Sequence, residues 1–531
     1  MPHFTLRIKQ YYITALVISF SCWLLLLLSS GAFYDGYHLV DDHEFASIYY
    51  DLDIKKIGLI KSILEWLQND HVFGRFRPVY YIHRILIIKI LGFNLFALSV
   101  YNLFLAGFST FFLFIFAKKL GFTFTESLLF SFFNVLGLQS EVWWQLGPAE
   151  TLGTFFLSVT LMCLVFSVLS EKFKAIWKFL FCFFTILMSL TKESFSLIIP
   201  VMIFINVWFL HDINNLSWHE SFKKNSTLIV FLSFFFSLEI AYIKYFVGTD
   251  FGYAGYEGFH YLKFFQTLNS INQYVSGWLI LLSLILVILV ARVIKNQSYI
   301  YIAQKLYKPF AAFILVLLPQ LLLYSKSGMS DYRYLLPVVF GYALLILFIT
   351  DFLKTYKTVS VLFLLILSLN LCGKFYLAWN NSFLFSNSGK ITTALLNTLE
   401  MNTQPESKIL IVADPTTHQQ WILSLKRYLK YIARRNHLYL NDEEFKDFRT
   451  TLLNPKRAKI FEYYHLSSEL TGKNQFDCVV ILTPDLNKKF TQKAENSFVI
   501  DKFKLNIFKA ATSPNSVFKI YLYTRKVSNS V

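Results

Sequence analysis

The sequence predicts a polytopic α-helical membrane protein of about eleven transmembrane helices, followed by a C-terminal extracytoplasmic α/β domain. Three observations predict it. Apolar residues make up 55% of the 531 positions, and mean hydropathy is +0.48. Apolar runs approaching the roughly 20 residues that a hydrocarbon core demands recur through residues 1–379. From about Asn380 the composition becomes that of a soluble protein, which leaves residues 380–531 for a separate domain.

The candidate spans are Tyr11–Phe33, Leu95–Ala117, Thr125–Trp144, Thr151–Leu169, Ile176–Leu190 and Phe195–Leu210, then Leu228–Val247, Gly277–Val290, Phe310–Leu323, Tyr334–Phe352 and Val359–Trp379. The first follows Arg7 and Lys9, as a signal peptide also would, but it keeps bulky residues to its end and reads as a retained anchor. The formal charge of +17 is distributed by loop. Lys118 and Lys119; Lys172, Lys174 and Lys178; Lys223 and Lys224; Arg292, Lys295, Lys305 and Lys308; and Lys354 with Lys357 fall in alternate loops. The positive-inside bias then puts the N-terminus in the cytoplasm of an inner or plasma membrane, and the first loop and the C-terminal domain outside. The basic balance reports topology and contact with anionic lipid, and no nucleic-acid motif accompanies it. Five scattered cysteines, one of them in the C-terminal domain, form neither a zinc spacing nor an internal disulfide framework there.

The first outer loop, residues 34–94, reads as two helices lying on the membrane. Ile54–Leu67 alternates apolar and charged positions at helical spacing. Val79–Leu91 is too short to span and carries His83, Arg84 and Lys89, with Pro78 suited to its first turn. Counting it as a span would put every later basic cluster on the wrong side. A second outer loop, Gly248–Ser276, is rich in Gly and Tyr and suits either a lid or an interfacial aromatic belt. In the C-terminal domain, Lys408–Ala413 and Phe476–Thr483 read as buried strands, His418–Arg435 as a helix, and Val517–Thr524 as an edge strand. No phosphate loop or nucleophile elbow assigns that domain any chemistry.

The chemistry gathers in outer loops. Asp41 and Asp42 follow the first span, where a carboxylate can take a proton from an acceptor hydroxyl; an ordinary acidic loop is the plain alternative. Arg75 and Arg77, near His71 and His83, suit phosphate recognition or snorkelling to headgroups. Lys192 stands beside Glu193 at an outer helix junction, able to stabilise a departing phosphate or to pair with its neighbour. Glu141 and Glu150 flank Trp143 and Trp144, which suit sugar stacking or a membrane belt. Arg333 follows Lys326 and Asp331, and either contacts phosphate or pairs with Asp331. Glu239 lies inside a span and needs a protein partner, with Lys244 in reach. Asp41, Asp42, His43 and His83 include the ligand types of a divalent cation site, and the metal question stays open.

Asp41-Asp42-x-x-Phe45 after the first span resembles the Asp-Glu-x-x-Tyr/Phe pattern of the GT-C glycosyltransferase superfamily, which includes protein O-mannosyltransferases and lipid A aminoarabinose transferases. Asp42 departs from the usual Glu. Arg77-Pro78-Val79-Tyr80-Tyr81, Leu91-Gly92, Thr191-Lys192-Glu193 and Arg333-Tyr334-Leu335-Leu336-Pro337 agree in order, so the resemblance covers about residues 11–337. It implies inverting transfer of a sugar from a polyprenyl-phosphate donor to a protein, lipid or glycan acceptor on the outer face. Asp41 and Asp42 would be the catalytic acids, with Asp41 as base. Arg75, Arg77, Lys192 and Arg333 would be the donor-phosphate ligands, and His83, Glu150, Glu193, Trp143 and Trp144 would contact substrate. A glycan polymerase or ligase using polyprenyl-diphosphate oligosaccharides is the neighbouring alternative. A lipid or solute transporter is disfavoured, because the acids lie in loops and no inverted repeat is visible.

Overall fold

The computed structural model describes residues 2–72, 74–247, 260–274, 276–293, 299–325, 331–354, 356–413, 415–440, 476–482, 503–513 and 516–525. The Gly252–Gly258 stretch, Lys295, Lys326 and Asp414 lie outside them.

Among the described residues, eight helices are long and apolar enough to cross a membrane, and nine if the bent pair Tyr261–Asn272 and Gly277–Ile288 counts as one span. Three of the eleven predicted runs account for the difference. Thr125–Trp144 breaks into a 12-residue helix, Phe124–Val135, and a 3-10 turn, Leu138–Trp143. The hinge is Gly137, whose φ of 132° a side chain would rarely adopt. Ile176–Leu190 becomes a 16-residue helix, Lys174–Ser189. Gly277–Val290 forms one limb of the bent pair. Apolarity alone cannot distinguish a spanning helix from one that is short and buried in protein.

The last apolar run does not stop near residue 380. One helix of 46 residues runs from Lys357 to Asn402, and Leu395, Leu396 and Leu399 near its end are buried in the core of the C-terminal sheet domain. The composition change thus falls inside a continuous rod, which at 1.5 Å per residue is about 70 Å long. Five strands complete the domain: β1 (Ile409–Val412), β2 (Leu438–Leu440), β3 (Cys478–Ile481), β4 (Phe503–Ser513) and β5 (Ser516–Arg525). Their order is β2-β1-β3-β5-β4. β1 is parallel to β2 and β3, and β5 is antiparallel to β3 and β4. The predicted edge strand Val517–Thr524 is therefore an inner strand, and its alternation reflects two differently packed faces. The predicted helix His418–Arg435 is Pro415–Arg427 followed by a π turn, Tyr428–Ile432.

In the loop of residues 34–94, a helix missed in the sequence, His43–Tyr49, starts immediately after the acid pair. The amphipathic segment becomes Leu59–Val72. Pro78 opens the helix Pro78–Leu91 as its spacing predicts. That helix buries Tyr80, Tyr81, Arg84, Ile85 and Ile88, while Ile82, Leu86 and Ile90 form an exposed stripe one turn apart. The two faces fit a helix lying along an apolar boundary.

Candidate active site at the acid loop

Residues 31–42 cross from the first span to the His43–Tyr49 helix, between the long rod and the sheet domain. The backbone of the loop is pinned to the rod: Tyr37 N donates to Thr393 Oγ1 at 2.8 Å. Gly389 of the rod has no room for a Cβ, which would strike the His38 ring and the Asp35 carbonyl. On the opposite side Gly147 approaches so closely that a Cβ there would run into the Cβ and backbone of Asp41. The loop is thus clamped between two glycines, one on the rod and one in the turn before the helix Ala149–Leu169.

That clamp sends the acid pair in opposite directions. Asp41 meets Arg333, whose Nη1 donates to Oδ2 at 3.1 Å, and Gln420, whose Nε2 donates to Oδ1 at 2.7 Å. Burial opposes its ionisation, but the charges of Arg333, His43, Arg84 and Arg75 prevail and lower its pKa to about 2. Asp42 is 1% exposed, and among the described residues neither carboxylate oxygen has a hydrogen-bond partner. It shares a closed pocket with Asp35 and His38, whose Nε2 stands 3.0 Å from Asp35 Oδ2. Burial first, together with the charges of Asp35 and Asp41, outweighs the opposing charge of His38 and raises the Asp42 pKa to about 6. Asp42, expected beside Asp41 as a catalytic acid, thus lies in the protein interior with Asp35 and His38.

Around Asp41 the ion pairs interlock. Arg333 Nη2 also donates to Asp331 at 3.1 Å, the pairing foreseen as the alternative to phosphate. Its backbone N–H donates to Glu141 Oε1 at 3.0 Å. Burial raises the Glu141 pKa to about 7 against the opposing charge of Arg333. Lys192 pairs with buried Glu150 and not with Glu193, and its ammonium lies 4.0 Å from the Tyr334 ring centroid. Glu193 instead accepts from Phe76 N at 3.2 Å. Arg84 is 2% exposed, pairs with Glu44, donates to the Gly147 carbonyl and lies over the rings of Phe45 and Tyr80. Tyr80 also donates to Gly147 O, at 2.5 Å.

Several predicted site residues lie elsewhere. Arg77 is buried and committed to Asp70, Nη2 to Oδ1 at 2.5 Å and backbone N to Oδ2 at 3.0 Å, so a phosphate would have to compete with that pair for it. Arg75 is close enough to act on Asp41 electrostatically. His83 faces Tyr101 OH at 2.6 Å and lines a crevice of about 420 Å³ with Arg84, Asn102 and Leu146. Trp143 and Trp144 are 0% and 3% exposed. Trp143 packs against Trp23 at a tilt and donates to Val135 O, and both indoles are buried in the helical core. Glu239 pairs with Ser196 Oγ at 2.7 Å and not with Lys244.

The sequence reading passed over Arg84, Glu44, Gly147 and Gln420. Arg84 carried a signal, a lone guanidinium in a strongly apolar helix, and so did Gly147 in its Gly-Pro turn. Gln420 carried none. Among the described residues no group of three or more His, Cys, Asp or Glu is arranged to hold a metal ion.

No protein-family model matches the sequence, and no curated protein matches it. Among solved structures the chain is similar to ArnT from Cupriavidus metallidurans bound to undecaprenyl phosphate, at TM-score 0.45 and 11% identity over 98% of this chain and 99% of that one. It is also similar to the apo form of ArnT, at TM-score 0.47 and 11% identity over 97% and 98%.

Proposed function

We propose that the chain is an integral membrane glycosyltransferase that moves a sugar from a polyprenyl-phosphate donor to a hydroxyl acceptor on the outer face, with inversion. The observation that carries the reading is Asp41: an ionised carboxylate beside Arg333, at the seam where the membrane helices meet the sheet domain. Its place in the Asp41-Asp42-x-x-Phe45 pattern supports the same reading.

In this mechanism the acceptor oxygen attacks the anomeric carbon from the face opposite the phosphate, and Asp41 takes the hydroxyl proton as the bond forms. The bond from the anomeric carbon to the phosphate oxygen breaks, and the phosphate leaves with the electron pair and needs no proton. A carboxylate with a pKa of about 2 is a weak base, so most of the rate must come from stabilising the leaving group. Arg333 and Lys192 supply the charge. Each is now neutralised by protein carboxylates, Arg333 by Asp41 and Asp331 and Lys192 by Glu150. A donor phosphate would share or replace those partners, and Arg75 adds positive charge to the same region. Releasing Arg333 toward phosphate would also free a lone pair on Asp41.

The test uses the purified protein in vesicles, supplied with sugars linked to undecaprenyl monophosphate or diphosphate, with release of the lipid carrier as readout. Wild type should release monophosphate. Asp41→Asn should insert normally and lose about a thousandfold in rate, within the range of a general base. Full activity in that variant discards the base, and turnover of diphosphate donors alone replaces the donor class.

A further inference from the structure

The C-terminal sheet domain reaches the acid loop through one helix, and the contacts fall on one stripe. Gln420, Ser424 and Tyr428 are spaced four residues apart, so they lie above one another on the same face of Pro415–Arg427 and the turn that continues it. Each binds a successive part of the loop. Tyr428 OH donates to His38 O at 2.9 Å, and Ser424 Oγ donates to Val40 O at 3.0 Å and lies 2.7 Å from His43 Nδ1. Gln420 Nε2 ends the series on Asp41 Oδ1 at 2.7 Å. Tyr428 is fully buried and Ser424 is buried, so the lower two contacts are anchors. Gln420, at the open end, touches the one side chain of the loop that also meets Arg333.

We infer that Gln420 is a positioning residue for the proposed base, presented by the sheet domain so that the Asp41 carboxylate keeps one oxygen fixed while the other faces Arg333. This rests on the glycosyltransferase reading above and deepens it by making the sheet domain part of the active site. A carboxylate on a single bond rotates, and Arg333 alone holds only Oδ2. An uncharged amide donor on Oδ1 fixes the plane of the group without adding positive charge that would weaken the base further. Lysine or arginine at this position would lower the Asp41 pKa; glutamate would set two carboxylates against each other.

The experiment is steady-state kinetics of the full-length protein with the lipid-linked donor, for Gln420→Ala, Gln420→Glu, Tyr428→Phe and Asp41→Asn, each with its Tm. Gln420→Ala should lower kcat about tenfold with donor KM within about twofold, because an orientation lost in the transition state and not in binding reads out in kcat. Gln420→Glu should lose more at neutral pH and move the acid limb of kcat upward by about one pH unit, as a second carboxylate makes the pair share a proton. Tyr428→Phe should lower Tm and leave the pH profile in place. If Asp41→Asn is inactive while both Gln420 variants stay within twofold of wild type, the inference falls and the function stands. It falls equally if the Gln420 variants lose activity only in proportion to Tm, as Tyr428→Phe does, with no shift of the acid limb. Full activity in Asp41→Asn removes both.

Discussion

Asp41 and Asp42 are neighbours in the chain and occupy opposite electrostatic worlds. Asp41 looks toward Arg333, Gln420 and the more distant charges of Arg84 and Arg75, and it stays ionised. Asp42 is buried beside Asp35 and His38; among the described residues no donor satisfies it, and burial with the two neighbouring acids outweighs the charge of His38. Burial penalises charge in both places. What separates them is a positive partner within hydrogen-bond reach, present for one and missing for the other. The carboxylate proposed as base and its buried neighbour therefore differ here by the direction each takes from the loop and not by residue type.

The sharpest way to break this contrast is to remove the cation. Arg333→Ala leaves Asp41 without its ion pair and the proposed leaving phosphate without its main charge. Transfer should fall about a hundredfold or more, in the range seen when one transition-state donor is deleted. Donor binding, measured by native mass spectrometry with undecaprenyl phosphate, should weaken further in the double variant with Lys192→Ala. Unchanged lipid-phosphate binding in that double variant would remove both residues from the donor site.

The two glycines offer a matched pair. Gly147→Ala presses on Asp41, and Gly389→Ala presses on His38 and Asp35. Overpacking costs about 1–3 kcal/mol in either place, so thermal melts should register both. Only Gly147→Ala should cut turnover of the surviving folded protein, by about tenfold, since misplacement of a reacting group by an ångström has effects of that order or larger. Equal kinetic losses in the two variants would erase the distinction between the sides of the loop.

Arg77 and Arg333 repeat the contrast among cations. Arg77 spends its guanidinium and its backbone N–H on Asp70, and both are buried. Arg77→Ala should destabilise by about 3–5 kcal/mol, the usual result of stranding a buried charge. Arg77→Ala with Asp70→Asn should recover much of that stability, and donor affinity should be unaltered in the folded fraction.

The smallest expected effect on transfer is Asp42→Asn. Folding raises the pKa of this acid from 3.8 to about 6, so the native state binds the proton more tightly than the unfolded chain does. The stabilising contribution is complete below pH 3.8 and is lost as pH rises through about 6. An amide mimics the protonated acid, so Asp42→Asn should melt a few degrees higher than wild type at pH 7–8 and lose that advantage near pH 4. Its transfer rate should stay within about twofold. A thousandfold loss would return Asp42 to the catalytic site.

Much of this was legible before any coordinates. The apolar runs, the basic loops, the helix opened by Pro78 and the strands Ile409–Val412 and Cys478–Ile481 follow from local composition and periodicity, because partition from water depends on each segment's own side chains. Asp41, Lys192 and Arg333 could be singled out because charges beside membrane helices are costly and few. What the tertiary structure alone decided was pairing. Whether Arg333 meets Asp41 across nearly three hundred residues, whether Arg77 is consumed by Asp70, and whether Gln420 reaches the loop depend on contacts between segments with no sequence signal for one another. The same holds for the break at Gly137 and for the rod that ends at Asn402, since a helix stops or continues according to what it packs against. Composition dictated which charged groups the chain offers; packing dictated which opposite charges meet, because Coulomb interactions weaken with distance and are screened over about 10 Å, and chain position does not set that distance.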